Sequence, residues 1–521
     1  MSRLFLKRTG ILLATLSLAA CGGLPKGGER TASTALKDNG QTKLAAIVRP
    51  KVVAHPGQSG LHALLDAHDA FTARLALADV AQRSLDVQYF IWNKDMTGKV
   101  LAERLFRAAD RGVRVRLLLD DLGTMPGDRE LLAIDSHPNI EVRMFNPAGM
   151  RSVRLLGILA DLVRVNKRMH NKSFVADGQV AIVGGRNIGD EYYGANEHAN
   201  FADLDVAVIG PVVKEVSDDF DLYWNHAAAI PMANLARQNT TPEQYAAMRA
   251  RLGAHQASAA SDYLADLRNS PFAQELRKRE VTFFWGRATI VEDHPDKVLT
   301  SGSNRDTHLA PQLLELANKT KRELFLVSPY FVPGKRGVEV LADVRRRGVR
   351  VVVLTNSLAA TDGVPVHSGY KHYRKPLVEA GIELYEIKPT ATTGGGRKSG
   401  SGLFGSRGVG GSSGASLHAK TFAFDRRIGF IGSYNLDPRS SRLNTEMGVL
   451  FDCSALAKQI PETVERDLDH SAYRVELERN HLVWTTSENG KRVRYTSEPQ
   501  ASVMKRIKST VIGWLPIEGL L

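Results

Sequence analysis

The chain has 521 residues, 43% hydrophobic and 24% charged, with a formal net charge of +13. That length exceeds one typical domain, and the ordinary composition excludes a disordered, collagen-like or disulfide-framed protein. The body holds no apolar run of about eighteen residues, which excludes a spanning helix there. The basic balance suits anionic phospholipid headgroups or nucleic acid without choosing between them.

Residues 1–20 read as a signal peptide, with Arg3, Lys7 and Arg8 ahead of a short Leu- and Ala-rich apolar run. The end of that run, Leu18-Ala19-Ala20-Cys21-Gly22, resembles the bacterial lipobox, which predicts a mature chain beginning at lipidated Cys21. The expected location is therefore a bacterial membrane, on its periplasmic face. Gly22, not being acidic, fits onward sorting to an outer membrane. Cleavage removes three cations and no acid. With Cys21 acylated, Cys453 has no partner, and no disulfide is expected despite export.

Residues 21–57 are polar and aperiodic, a tether. The chain then repeats itself. Residues 84–91 have strand character, residues 98–110 carry Leu101, Leu105 and Ala108 at helical spacing, and Arg111-Gly112-Val113-Arg114-Val115 leads into a second strand at 117–119. The same order returns as a strand at 324–331, a helix with Val338, Leu341 and Val344 on one face, and Arg347-Gly348-Val349-Arg350-Val351 opening another strand. The five-residue string RGVRV thus falls at the same point of two β-α-β units. The expected fold is α/β, with two homologous halves (58–230 and 281–521), mainly parallel sheets flanked by helices, and one shared active site. Residues 231–280, rich in Ala, Gln, Glu and Arg, read as a helical connection. Residues 391–416 are Gly/Ser-rich and read as a mobile loop, either an inert insertion or a lid.

The chemistry lies in a second repeat. His170-Asn171-Lys172 is followed by Asp177 and then Gly184-Gly185-Arg186-Asn187; His418-Ala419-Lys420 is followed by Asp425 and then Gly432-Ser433-Tyr434-Asn435. In both copies four residues separate Lys from Asp, six separate Asp from the Gly pair, and Asn comes two after that pair. A single H-x-K carries little weight, whereas two copies with every spacing kept, inside two matching halves, are not chance. Residues i and i+2 of a strand share a face, so each His presents its imidazole beside the Lys ammonium. Ala176-Asp177-Gly178-Gln179 reads as a tight hairpin turn returning the chain toward Asn187. Asp177 and Asp425, though part of the motif, sit at turns and read as structural. Beyond the hairpins, Asp205 and Glu446 are each set on a strand, either as a surface charge or as the carboxylate that holds an imidazole N–H and fixes its tautomer.

The paired H-x-K-x4-D-x6-G-(G/S)-x-N pattern resembles the phospholipase D superfamily, from about residue 58 to the C terminus. Residues 88–92, 168–174 and 184–193 look more narrowly like the bacterial cardiolipin synthase C type. Gly185 departs from the pattern, where the second copy has Ser433, so the halves need not play equal roles. The resemblance implies a phosphohistidine mechanism, and the residues can supply its parts. One imidazole attacks phosphorus while the other protonates the leaving alcohol and then activates the acceptor. Lys172 and Lys420, with Asn187, Ser433 and Asn435, are the candidates to hold the non-bridging oxygens. His170 is the favoured nucleophile by resemblance alone. The scheme calls for no metal or other cofactor.

The expected partners are membrane phospholipids rather than nucleic acid; the oligomeric state stays open. The expected activity is phosphatidyl transfer of the cardiolipin synthase kind, against a phospholipase D hydrolase, a phosphodiesterase or nuclease, or a non-catalytic membrane scaffold. Tyr89, Phe90, Tyr330 and Phe331 are candidates to line the pocket. Residues 503–515 mix basic and apolar side chains and suit either a membrane interface or packing on the core.

Overall fold

The computed structural model describes residues 23–25, 28–37, 40–149, 151, 157–158, 161–196, 199–236, 239–258, 261–300, 308–389, 414–516 and 518–521. Residues 1–20, Cys21 and most of the Gly/Ser-rich segment lie outside them, whereas the expected tether is folded onto the body: Lys43–Val53 is a helix with Leu44, Ala45 and Val48 buried, and Ser33 O accepts from Arg116.

In the first half the strands are β1 (Ser59–Leu64), β2 (Ser84–Tyr89), β3 (Arg114–Asp120), β4 (Ile140–Phe145), β5 (Ser173–Ala176), β6 (Val180–Gly184), β7 (Ala199–Ala202), β8 (Asp205–Ile209) and β9 (Ala229–Pro231). All but β7 form one sheet in the order β9-β4-β3-β2-β5-β6-β8-β1. The second half supplies β10 (Phe284–Glu292), β11 (Glu323–Val327), β12 (Arg350–Asn356), β13 (Glu383–Ile387), β14 (Gly414–Leu417), β15 (Lys420–Phe424), β16 (Ile428–Gly432), β17 (Met447–Asp452) and β18 (Ala472–Glu478). Their order, β18-β13-β12-β11-β15-β16-β17-β10, repeats the first strand for strand. The repeat expected from RGVRV therefore covers every strand of the first half's sheet; the second half adds two more beyond β18, at His481–Glu488 and Lys491–Tyr495, and β1 pairs antiparallel with β10 to join the two sheets.

The sheets are mixed rather than mainly parallel. β2, β3 and β4 run parallel, as do β11, β12 and β13, because a helix crosses between successive strands there. The other pairings in each half are antiparallel, the motif hairpins β5–β6 and β15–β16 among them. A local β-α-β pattern fixes the direction of its own strands and says nothing of its neighbours.

Each hairpin is pinned by its motif aspartate. Asp177 and Gly178 have φ of 52° and 59°, the left-handed pair that a type I′ turn needs, and Asp425 and Arg426 repeat it at 54° and 53°. The buried Asp177 carboxylate accepts the backbone N–H groups of Gln82, Arg83 and Ser84; Asp425 accepts those of Lys321, Arg322 and Glu323. Each acid thus ties its hairpin to the start of the neighbouring parallel strand. Charge-assisted bonds of this kind contribute roughly 1.5–3 kcal/mol each. A large apolar core lies within each half, a smaller one gathers around Phe145, Tyr223 and Trp224, and a fourth lies between the halves, where Val183, Val206 and Val208 meet Ile431, Val449 and Leu417. Among the described residues, four helices fill the connection between Met232 and Lys278. The Gly/Ser-rich stretch ends earlier than its composition implies, because β14 begins at Gly414 and pairs parallel with β7.

Candidate functional site at the junction of the halves

Both histidines sit where a segment of one half is stitched to the other. His170 N–H donates to Thr445 O at 2.9 Å, and Thr445 N–H donates to Arg168 O at 2.9 Å. On the other side the β14–β7 pairing is followed by N–H donation from His418 and Ala419 to Ala202 O, at 2.8 and 3.0 Å. The backbone therefore aims each imidazole into the seam.

The side chains are exchanged in the same crosswise way. His170 Nδ1 lies 2.7 Å from Glu446 Oε2, and His418 Nδ1 lies 2.6 Å from Asp203 Oδ2. A carboxylate only accepts, so Nδ1 carries the proton and Nε2 is left for chemistry. Glu446 is in turn gripped by two hydroxyls, Ser433 Oγ donating to Oε2 at 2.5 Å and Ser440 Oγ to Oε1 at 2.7 Å. Asp203 Oδ1 accepts the Leu204 N–H at 2.7 Å.

The acid on the His418 ring is thus Asp203 and not Asp205, which instead faces Arg74 at 2.8 Å and Arg186 at 3.4 Å. The ladder explains the difference. Asp205 pairs with Gly184 and Gly448 pairs with Gly432, so Gly448 is the counterpart of Asp205 and Glu446 that of Asp203. A slip of two residues keeps the same strand face, so side-chain parity cannot reveal it. The spacing hides it too: fifteen residues separate Asn187 from Asp203, but ten separate Asn435 from Glu446.

Lys172 and Lys420 are buried beside their histidines, each ammonium touching the carbonyl oxygen of its own His. Lys420 Nζ also stands 3.0 Å from His418 Nδ1 and 3.2 Å from Nε2. Burial pushes Lys172 down to about 7, helped by the Lys420 charge and opposed by Glu446. Burial likewise brings Lys420 to about 8, against the pull of Asp203. His170 is pushed down to about 4, first by burial, with Glu446 opposing and both lysines adding to the fall. His418 is lowered by burial and by Lys420. Burial would raise both carboxylates, yet His418 holds Asp203 well below the carboxylate range and His170 lowers Glu446. Cations and imidazoles crowded into one buried seam make a site that a phosphate group would relieve.

The motif asparagines differ in their surroundings. Asn187 is occupied, its Oδ1 accepting the Ile91 N–H at 3.1 Å and its Nδ2 donating to Tyr192 Oη at 2.9 Å. Asn435 Oδ1 is buried without a hydrogen-bond partner. Aromatic cover comes from Phe90, edge-on to His170 at 5.1 Å, and from Tyr192 and Phe201, 5.2 and 5.1 Å from His418. Tyr89 and Phe331 do not line the site; both are buried in the cores of their halves, while Tyr330 Oη donates to Asp362 at 2.8 Å. Alternation along the strand separates each pair of neighbours. Asp203, Ser440, Tyr192 and Phe201 were not legible as site residues because they come from segments outside the repeated spacing. Among the described residues no group of three or more His, Cys, Asp or Glu is arranged to hold a metal ion.

The family model described as cardiolipin synthase, PLD-like domain, matches residues 75–224 and 313–468. The chain is 44% identical to cardiolipin synthase C of Escherichia coli over 92% of its own length and 100% of that protein. It is 27% identical to cardiolipin synthase A of Pseudomonas entomophila over 78% of this chain and 68% of that one. Among solved structures, phosphatidylserine synthase of Haemophilus influenzae superposes with a TM-score of 0.56 at 14% identity, covering 92% of this chain and all of that one, which speaks to the fold. Two phospholipase D-like halves, each matched by the same family model and closing crosswise on one pair of histidines, make this chain an enzyme of the phospholipase D superfamily, in its cardiolipin synthase family.

Proposed function

We propose that the enzyme transfers a phosphatidyl group from one phospholipid to a hydroxyl of another, with phosphatidylglycerol or a similar glycerol-bearing lipid as acceptor and a cardiolipin-type lipid as product. The observation that carries this reading is the crosswise pairing of His170 with Glu446 and His418 with Asp203. It leaves neither Nε2 tied to a carboxylate, in one seam that also holds two buried ammoniums, Lys420 Nζ standing 3.2 Å from His418 Nε2. Full-length similarity to a cardiolipin synthase supports lipid over nucleic acid as substrate.

In the proposed cycle His170 Nε2 attacks phosphorus, and His418, protonated, gives its proton to the departing alcohol oxygen as the P–O bond breaks. The phosphatidyl group is then held on His170. His418, now neutral, takes the proton of the acceptor hydroxyl, whose oxygen attacks phosphorus and expels His170. Lys172 and Lys420 hold the non-bridging oxygens as charge builds. Asn187 is committed to the Ile91 N–H and to Tyr192, whereas the Asn435 amide, able to donate through its NH2, is the one of the two placed to support the phosphate.

Purified enzyme given phosphatidylglycerol vesicles should form a dimeric phospholipid and free glycerol, resolved by mass, and His170→Ala or His418→Ala should abolish both. Release of phosphatidic acid and glycerol with no dimeric lipid would replace transfer by hydrolysis. Cleavage of nucleic acid in place of lipid would overturn the lipid reading altogether. The location belongs to the same proposal: Cys21, acylated after cleavage of residues 1–20, tethers the enzyme to the periplasmic face of a bacterial membrane. This is supported by the leader pattern and by the absence, among the described residues, of any helix long and apolar enough to cross one. Cys21→Ser should abolish acyl labelling of the chain; persistent labelling would refute the site.

A further inference from the structure

The C-terminal helix Val503–Gly513 leaves an apolar face uncovered. Val503, Ile507, Val511 and Trp514 are 71%, 52%, 49% and 78% exposed, and their spacing puts them on one side of the helix. Met504 and Leu515 widen the stripe. The other side is fastened to the body: Ser509 is buried with its Oγ 3.2 Å from Ser368 Oγ, and Arg506 donates to Glu498 O at 2.7 Å. The helix is thus firmly seated with its apolar face turned outward.

Its position relates it to the catalytic seam. Lys505 Nζ donates to Ala359 O and Thr361 O at 3.0 and 2.9 Å, in the loop that leads to Asp362. Asp362 accepts from Tyr330, and its charge is felt at both His418 and Lys420. The chain end turns the same way. Leu521 O accepts the Arg439 N–H at 2.6 Å, and Arg439 grips Asn166, just after the exposed Leu162 and Val163. Exposed apolar side chains therefore occur both on this helix and at Leu162 and Val163, in a segment that Arg439 ties to the second half.

We infer that this helix is a docking surface for an anionic lipid bilayer, setting the mouth of the site against the headgroups. The inference rests on the phospholipid reading of the substrate and adds the surface by which that substrate is approached. Charge decides the occupant. Lys505 and Arg506 are turned to the body, but Lys508 is exposed, residues 503–513 contain no acid, Lys371 lies alongside with Nζ 3.3 Å from Thr510 Oγ1, and the chain carries +13, or +10 without the three cations of residues 1–20. A second copy would bring like charge against like, whereas anionic headgroups complement the cations while the acyl boundary takes the apolar stripe. A Trp at the end of such a stripe suits the interfacial layer.

The test uses the mature chain, residues 21–521, carrying Cys21→Ser, so that neither an acyl group nor the apolar leader holds it to vesicles, with and without Ile507→Glu and Val511→Glu. Both positions are exposed, so the melting temperature should not change. The parent should float with vesicles of phosphatidylcholine and phosphatidylglycerol in equal parts and not with phosphatidylcholine alone. The double variant should lose flotation by about a hundredfold, from two aliphatic side chains no longer buried. Turnover of vesicular phosphatidylglycerol should fall at least tenfold while turnover of a monomeric short-chain phosphatidylglycerol is unchanged. Unchanged flotation of the variant would overturn the inference, as would sedimentation showing a lipid-free dimer that the variant dissociates without altering flotation. If the parent floats and the variant does not, but neither lipid is turned over by the parent, docking stands and the substrate reading falls.

Discussion

Glu446→Gln tests whether the carboxylate behind His170 acts through its charge. The change keeps the side chain's length and leaves it able to bond Ser433 and Ser440, which lie 2.5 and 2.7 Å from its oxygens. It removes the negative charge 2.7 Å from His170 Nδ1. When His170 attacks phosphorus the imidazole becomes cationic, in a site where burial and two lysines already hold its ordinary protonation down to about 4. With charge centres about 4 Å apart and an effective dielectric of about 20, the lost attraction is about 4 kcal/mol. That corresponds to about three orders of magnitude in kcat. The assay is steady-state turnover of phosphatidylglycerol alongside rapid quench for acid-labile, base-stable phosphoenzyme. Glu446→Gln should slow formation of the phosphoenzyme, whereas Asp203→Asn, weakening His418, should slow its breakdown and let it accumulate on His170. A Glu446→Gln enzyme within about fivefold of the parent in kcat would refute the charge argument, and phosphohistidine trapped at position 418 would reverse the roles.

Two further outcomes rest on the same geometry. The pH profile of kcat/KM should lie on the acid side: His170 is neutral above about 4, His418 must be protonated and is so only below its lowered value, and Lys172 begins to lose its charge near about 7. All of these pull the optimum below the ordinary imidazole value of about 6.5, and an optimum above pH 8, measured on the monomeric short-chain lipid, would contradict the scheme. Gly185→Ser should cost at least about tenfold in kcat through a displaced carboxylate, because a Cβ there would stand 2.2 Å from Asp203 Oδ1; adding Asp203→Glu, which recreates the second half's pair, should restore part of the loss, and a silent single variant would show that the close approach does not matter.

Much of this site could be read from the chain alone, and the reason is physical. A phosphorus must be met from two sides, so each half carries a His and a Lys at fixed strand spacing, and the duplication exposes the pattern. The turn aspartates were likewise legible, Asp177 from the local Asp-Gly signal and Asp425 from the repeated spacing, since Arg426 and not glycine follows it. What the sequence hid was long-range. The two carboxylates reach their histidines across 276 and 215 residues of chain, and no local spacing says that each half supports the imidazole of the other. Asp205 was misassigned for the related reason that a two-residue slip leaves a strand face unchanged. Mainly parallel sheets were expected because the β-α-β units advertise themselves, while the antiparallel strands around them are joined by hairpins and loops without such a signature.

The departure at Gly185 has a reason in side-chain length. An aspartate is one methylene shorter than a glutamate, so to reach His418 the Asp203 carboxylate must lie against the backbone of the neighbouring strand. It occupies the space of a missing Cβ at position 185, with Oδ1 only 2.2 Å from where that atom would be. Glu446 reaches further, leaves room for a side chain at the equivalent position, and finds there the Ser433 hydroxyl, with Ser440 as a second donor. The two acids are therefore not equal in strength as partners. Donors from two hydroxyls disperse the charge of Glu446 and make it a weaker magnet for a proton on His170. Asp203, lying against backbone with the Leu204 N–H on one oxygen, keeps more of its charge for His418. A neutral imidazole suits attack on phosphorus and a protonated one suits donation to the leaving oxygen. The Gly–Asp and Ser–Glu pairs thus favour His170 as the nucleophile and His418 as the acid and base, an argument independent of any relative.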